Sequence, residues 1–251
     1  MKRSKLVLLS FILLFSLPFA NSYAKIKVGT VVFDPPYVDF SNQGFEIDLI
    51  KLLCKRINQQ CDLITMDYNA LFPALNDEII DVAIDGIDFY VTPNPLNGGY
   101  IYSYPYLLSK GQFIAEKDEG IKSIDQLPKN THIGLVRERT DTGSGIYSSF
   151  LNKNYDGKFK IIFYDSVQSL IDALNNGDIT AAFMDSNEAD YWILNSQNKF
   201  VKVGKEMKIA DGIGIMALPK NAPLLEQFNK QLQEMQNDKT YTDLYDTYFG
   251  M

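Results

Sequence analysis

Two short apolar runs in this chain end in acids. The first is Asp81-Val82-Ala83-Ile84-Asp85-Gly86-Ile87-Asp88 and the second is Ile179-Thr180-Ala181-Ala182-Phe183-Met184-Asp185. Apolar runs of this length read as buried strands of a parallel sheet. Ligands of open α/β sheets sit beyond the carboxyl ends of the strands. Asp85, Asp88 and Asp185 are therefore candidates to hold a positive charge, although solvated loop acids would read the same way. Gly86 lets the backbone turn between the first two. Glu46 opens a predicted helix, where the helix dipole favours a carboxylate; it is equally placed to meet a ligand. Chemistry of turnover is less well supplied. His132 is the single histidine, no Gly-x-Ser-x-Gly elbow occurs, and Gly143-Ser144-Gly145 lacks the strand–glycine–helix setting of a phosphate loop. Cys54, Cys61 and His132 do not make a convincing metal set. Acids and aromatics without an evident nucleophile suit binding better than catalysis, while paired acids leave glycosidase or dehydratase chemistry open.

The N-terminus bounds where this happens. Lys2, Arg3 and Lys5 precede an apolar run from Leu6 to Phe19, and Ser22-Tyr23-Ala24 has the spacing of a cleavage site. Residues 1–24 are predicted to be a secretory signal peptide cut after Ala24. No lipid-attachment cysteine follows it. The segment removes three basic residues, leaving 21 against 31 acidic ones and a formal charge of −10. Such a chain has little reason to bind nucleic acid or anionic lipid, and it suits a small cation. In an exported protein the close pair Cys54 and Cys61 is expected to form a disulfide, tying the end of one helix to the next strand.

The elements that must position the acids follow in order. Strands are predicted at 26–32, 61–65 and 81–84, with a helix at 46–57 and a short helix capped by Asn69 running to Leu75. This is a β-α-β-α-β series. After a strand at 110–115 and a helical turn stopped by Pro128, the series repeats. Strands at 132–136, 160–163 and 179–184 alternate with helices at 147–151 and from Ser166 to Gly177. Strands at 200–203 and 213–217 and helices at 221–236 and 241–249 close the chain. The last part is placed back on the first unit. Two similar α/β units would bring their strand ends, Asp85 and Asp185, face to face across a cleft.

The ordered motifs Pro35-Pro36-Tyr37, Gly44-Phe45-Glu46-Ile47-Asp48-Leu49, Tyr68-Asn69-Ala70-Leu71-Phe72-Pro73-Ala74-Leu75, Ser103-Tyr104-Pro105-Tyr106 and Asp178 to Asp185 resemble a known family. Together with the Asp81–Asp88 run and the cysteine pair, they are similar to the periplasmic solute-binding proteins of polar amino-acid ABC transporters. These are the family 3 proteins, and the arginine-, lysine- and histidine-binding type is nearest. The resemblance covers nearly all of the chain beyond residue 24. It implies a two-lobed type II periplasmic-binding-protein fold, each lobe a mostly parallel sheet flanked by helices, joined by two hinge strands. Lobe 1 would be 25–111 plus 207–251 and lobe 2 would be 112–206. It implies a periplasmic monomer that is no enzyme and needs no cofactor or metal. That protein would bind a basic amino acid, arginine foremost, and deliver it to an inner-membrane ABC permease.

Carried over residue by residue, Glu46 would meet the basic side chain and Tyr68 would stack on it. Asp85, Gly86 and Asp88 would hold the ligand with backbone and side-chain groups. Asp185 would pair with the α-ammonium, and Phe33 and Asp34 would complete the pocket, Asp34 standing where an aromatic is common. Two departures are visible. Pro95 stands where the family places the arginine that clamps the ligand carboxylate. Glu138-Arg139-Thr140 stands where it places Gly-Thr, so Arg139 with Thr140, or else Arg137, is expected to supply the clamp. The extra acids also make a decarboxylated cation, a polyamine or agmatine-like molecule, a live alternative. A same-fold dehydratase of the cyclohexadienyl or prephenate type is the rival from another class. Its anionic substrates would require more cations than Arg137 and Arg139.

Overall fold

The computed structural model describes residues 25–138 and 145–250. The first sheet is built from β1 (Ile26–Thr30), β2 (Cys61–Thr65) and β3 (Val82–Ala83), with α1 (Phe45–Arg56) and α2 (Leu71–Asn76) between them. β1 pairs in parallel with both β2 and β3. The chain then passes β4 (Asp88–Phe89) and the edge strand β5 (Ile101–Tyr102) before entering the second sheet through β6 (Lys110–Glu116). There β7 (His132–Val136), α3 (Ile146–Tyr155), β8 (Lys160–Tyr164), α4 (Val167–Asn175), β9 (Ala181–Asp185), α5 (Ser186–Asn195) and β10 (Phe200–Lys208) follow. The return runs through β11 (Gly212–Ile213), which pairs antiparallel with β4, and β12 (Met216–Ala217) to α6 (Ala222–Asn237) and α7 (Thr240–Phe249).

The two sheets share one plan. Their orders are β2-β1-β3-β12-β5 and β8-β7-β9-β6-β10. In each, three parallel strands are flanked by an antiparallel strand, β12 beside β3 and β6 beside β9. This is the mixed α/β architecture of the type II periplasmic binding proteins. The late strand β12 returns to the first sheet, as the sequence reading placed it.

Local physics explains the elements near the cleft. α1 buries Phe45, Ile47, Leu49, Ile50, Leu53 and Cys54, and it carries Lys55 and Arg56 in its last turn, where cations complement the dipole. Its inward face packs under α7, with the Phe45 ring edge-on to Tyr241 and Tyr248. Cys54 and Cys61 form the expected disulfide between α1 and β2, with their Cα atoms 6.0 Å apart. α4 is capped by Ser166, whose hydroxyl accepts from the Ser169 N–H at 3.2 Å, and the predicted stripe Val167, Leu170, Ile171 and Leu174 is buried.

Four readings need correction. Asn69 caps nothing: Tyr68–Ala70 is a 3-10 turn that runs directly into α2 without a side-chain cap. The predicted strand at 213–217 is two short pairings, β11 and β12, because Gly214 and Ile215 carry the chain from one partner to another. Ile101–Tyr102, where no strand was predicted, pairs as a strand with β12. α5 was not predicted at all. Asp185 ends β9 and also caps α5, accepting from the Asn187 N–H at 2.7 Å.

Candidate functional site

A cavity of about 280 Å³ lies between the two sheets. Its wall is built from the segments leaving the carboxyl ends of all six parallel strands: Val31–Asp34 after β1, Met66–Tyr68 after β2 and Asp85–Asp88 after β3. From the second sheet come Val136 with Glu138 after β7, Asp165–Gln168 after β8, and Asp185 with Glu188 after β9. That is where a parallel sheet presents free backbone groups and helix N-termini to a ligand. Its size suits a small solute.

The sequence-predicted acids converge here. Asp34, Asp85, Asp88 and Asp185 line the cavity, and each is at most 9% exposed. Among the described residues, both oxygens of Asp85, Oδ1 of Asp34, Oδ1 of Asp88 and Oδ2 of Asp185 meet no hydrogen-bond partner. Buried carboxylates without donors are costly, so a donor is expected to arrive with a ligand. Burial raises all four well above the ordinary carboxylate range, Asp185 to about 6. Neighbouring acids raise three of them further: Glu46 acts on Asp34, Asp34 on Asp85 and Asp185 on Asp88. Asp185 is held down in part by the Tyr37 hydroxyl, which donates to its Oδ1 at 2.6 Å. Tyr37 belongs to the segment after β1 and is fully buried, so this bond ties the two halves of the molecule across the cleft floor. Asn187 Nδ2 donates to the same hydroxyl at 3.1 Å.

Glu46 is bonded to the lining residue Gly86. It does not line the cavity. Its carboxylate is fully buried and accepts the Gly86 N–H through both oxygens, at 2.9 and 3.0 Å, and the Tyr106 hydroxyl through Oε1. Burial pushes it up to about 7 against the pull of those two donors. Gly86 has φ +57°, and an added Cβ would meet the Tyr37 ring at 3.0 Å. Glu46 thus pins the turn that aims Asp85.

The aromatic wall includes Tyr68, packed edge-on to Phe72 at 5.9 Å, and Phe33, stacked on Phe40 at 4.0 Å. Arg139 and Thr140 lie outside the described residues. Arg137 is outside the lining; its Nε donates to Asp165 at 3.0 Å and its guanidinium lies over the Phe163 ring. Pro95 opens a 3-10 turn capped by Asn94, away from the cavity. No metal cluster occurs among the described residues.

Sequence reading missed Glu188, Tyr147, Phe40 and Gln168 on the wall. Glu188 is the most consequential. Asp34, Asp185, Asp85 and Asp88 all act on it and, after burial, raise it well above the usual range. The signal was present: Asp185-x-x-Glu188 has the spacing of a helix N-terminus with an acid in the first turn.

The model of the bacterial extracellular solute-binding proteins, family 3, matches residues 26–251. The chain belongs to that family. Among the relatives of this family 3 protein, the ABC transporter arginine-binding protein 1 of Escherichia coli K12 is 30% identical, with 98% of each chain covered. The histidine-binding periplasmic protein of the same strain is 28% identical over 98% of this chain and 96% of its own. The crystal structure of an arginine third transport system periplasmic binding protein from Legionella pneumophila superposes with a TM-score of 0.82 at 29% identity. That match covers 90% of this chain and all of the other.

Proposed function

We propose that this family 3 protein is a periplasmic solute receptor of an ABC transporter that binds a cationic amino-acid-type solute and presents it to an inner-membrane permease. Arginine is the candidate that its relatives supply. The observation that carries the reading is Asp85, a buried carboxylate lining the interlobe cavity with neither oxygen paired. An ammonium or guanidinium supplies the missing donors, and the aromatic faces of Tyr68 and Phe33 suit its flat or apolar part. Residues 25–111 with 207–251 would move as one lobe against 112–206, and ligand would shift the balance toward the closed form that the permease reads.

A thermal-shift screen of the exported chain against basic, acidic and neutral amino acids tests this. A basic amino acid at a hundred times its Kd is expected to add about 2.7 kcal/mol of stability, seen as a raised Tm. Asp85→Asn is expected to weaken that ligand by about tenfold or more, because a charge-assisted partner is lost. Response to acidic amino acids alone, with no cation shifting the Tm, would refute the reading.

A further inference from the structure

Tyr37 is built into the first sheet and bonded to the second. Its ring belongs to the apolar core around β1. Its backbone is held on both sides: the N–H donates to the Asp34 carbonyl at 2.9 Å, and the carbonyl accepts the Glu46 N–H at 3.3 Å. The ring also lies against Gly86, where an added Cβ would meet it at 3.0 Å. With ring and backbone fixed, the hydroxyl has a set position, 2.6 Å from Oδ1 of Asp185 at the end of β9.

The direction of its proton is set as well. Asn187 Nδ2 donates to the Tyr37 oxygen at 3.1 Å, which leaves the hydroxyl proton to Asp185. The same Oδ1 accepts the Asn187 N–H at 2.7 Å. Two donors on one oxygen fix the orientation of the carboxylate. They leave Oδ2, which meets no partner among the described residues, as the oxygen available to a solute. The Asn187 N–H comes from α5 and travels with Asp185. The Tyr37 hydroxyl comes from the first sheet and reaches Asp185 only while the two sheets stand this close.

We propose that Tyr37 is a positioning residue that couples lobe closure to solute binding: its hydroxyl clasps Asp185 from the opposite lobe and holds that carboxylate ready for a solute ammonium. This rests on the reading of the cleft as a solute site. A solute cation favours the ionised carboxylate, which is the better acceptor for the hydroxyl, and the bond in turn keeps the lobes together around the solute.

Tyr37→Phe keeps the ring against Gly86 and removes the hydroxyl. Carbon NMR of carboxyl-labelled aspartate gives a readout that needs no solute. The Tyr37 bond holds Asp185 down against the burial that raises it to about 6, so the variant's Asp185 is expected to titrate at higher pH than the wild type's. Asp34, Glu46, Asp88, Tyr147, Glu188 and Lys110 also interact with Asp185 and are common to both proteins. An unmoved titration overturns the proposal. Calorimetry and stopped-flow kinetics with arginine, lysine and histidine then read closure. The amino acid that the wild type binds is expected to bind the variant about tenfold more weakly, through faster dissociation. Equal affinity, or a loss confined to the association rate, overturns the clasp. Asn187→Ala, at a half-buried position, is expected to move both readouts the same way by a smaller factor, and it carries the test should Tyr37→Phe fail to fold. If none of the three amino acids binds the wild type, the solute reading fails, and the carboxyl titration still decides whether Tyr37 positions Asp185.

Discussion

Glu46 shows what a single carboxylate can do for a turn that lines the cavity. Its two oxygens take the Gly86 N–H and the Tyr106 hydroxyl, and the Tyr241 hydroxyl in turn donates to the Tyr106 carbonyl. The C-terminal helix α7 is thereby connected through Tyr106 and Glu46 to the turn that holds Asp85. Glu46→Gln keeps the shape but can turn an amide N–H toward the Gly86 N–H. A buried donor then faces a donor, a conflict costing about 1–3 kcal/mol. A lowered Tm of the ligand-free protein is the expected outcome, measured by thermal melts. An unchanged Tm would mean that the turn is held by its neighbours alone.

At the scale of elements, the cleft depends on where α1 and β2 stand. Cys54 closes the last turn of α1 against Cys61 at the start of β2, and the loop between them is short. Joining so short a loop contributes roughly 2 kcal/mol through the unfolded chain. Cys54→Ser with Cys61→Ser is expected to lower the unfolding free energy by about that amount, read as a lower denaturant midpoint with the m-value nearly kept. Ligand affinity should change little, since neither cysteine lines the cavity. α5 makes the complementary case. Its N-terminus carries Asp185 as cap and Glu188 in its first turn, so one helix start places two acids on the cavity wall. A helix start ordinarily welcomes acids. Here the surroundings overrule that preference, and both side chains are raised above their ordinary range by burial.

For the whole molecule the consequence is a dependence on pH. Asp34, Asp85, Asp88 and Glu188 are all raised, as are Glu46, to about 7, and Asp185, to about 6. A carboxyl raised on folding binds more protons folded than unfolded. Stability is therefore greatest below the ordinary carboxylate range and falls as pH rises through the folded value. For Glu46 and Asp185 that window opens near their ordinary values of 4.5 and 3.8 and closes near 7 and 6. The ligand-free Tm is expected to fall from pH 5 to pH 7.5 on this account. A bound cation favours the ionised acids, so its affinity should rise across the same interval, with protons released on binding. Titrations in buffers of differing ionisation enthalpy read that release directly. Affinity that falls with rising pH would contradict the arrangement.

The sequence by itself determined the two β-α-β-α-β series, the acids at the ends of β3 and β9, and the pairing of the C-terminal part with the first unit. These follow from the period of apolar residues and from short apolar runs ending in Asp85 and Asp185, and periodicity is local information. The cysteine pair was equally legible, because its partners are close along the chain. Tertiary structure alone decided that Glu46 meets Gly86 and Tyr106. It also decided that Tyr37 spans the cleft to Asp185 and that Glu188 joins the other acids. A carboxylate at a helix start looks the same in sequence whether solvent, a backbone amide or a ligand will meet it. The answer depends on which residues from 40 to 148 positions away are packed beside it, and only the assembled sheets supply those neighbours.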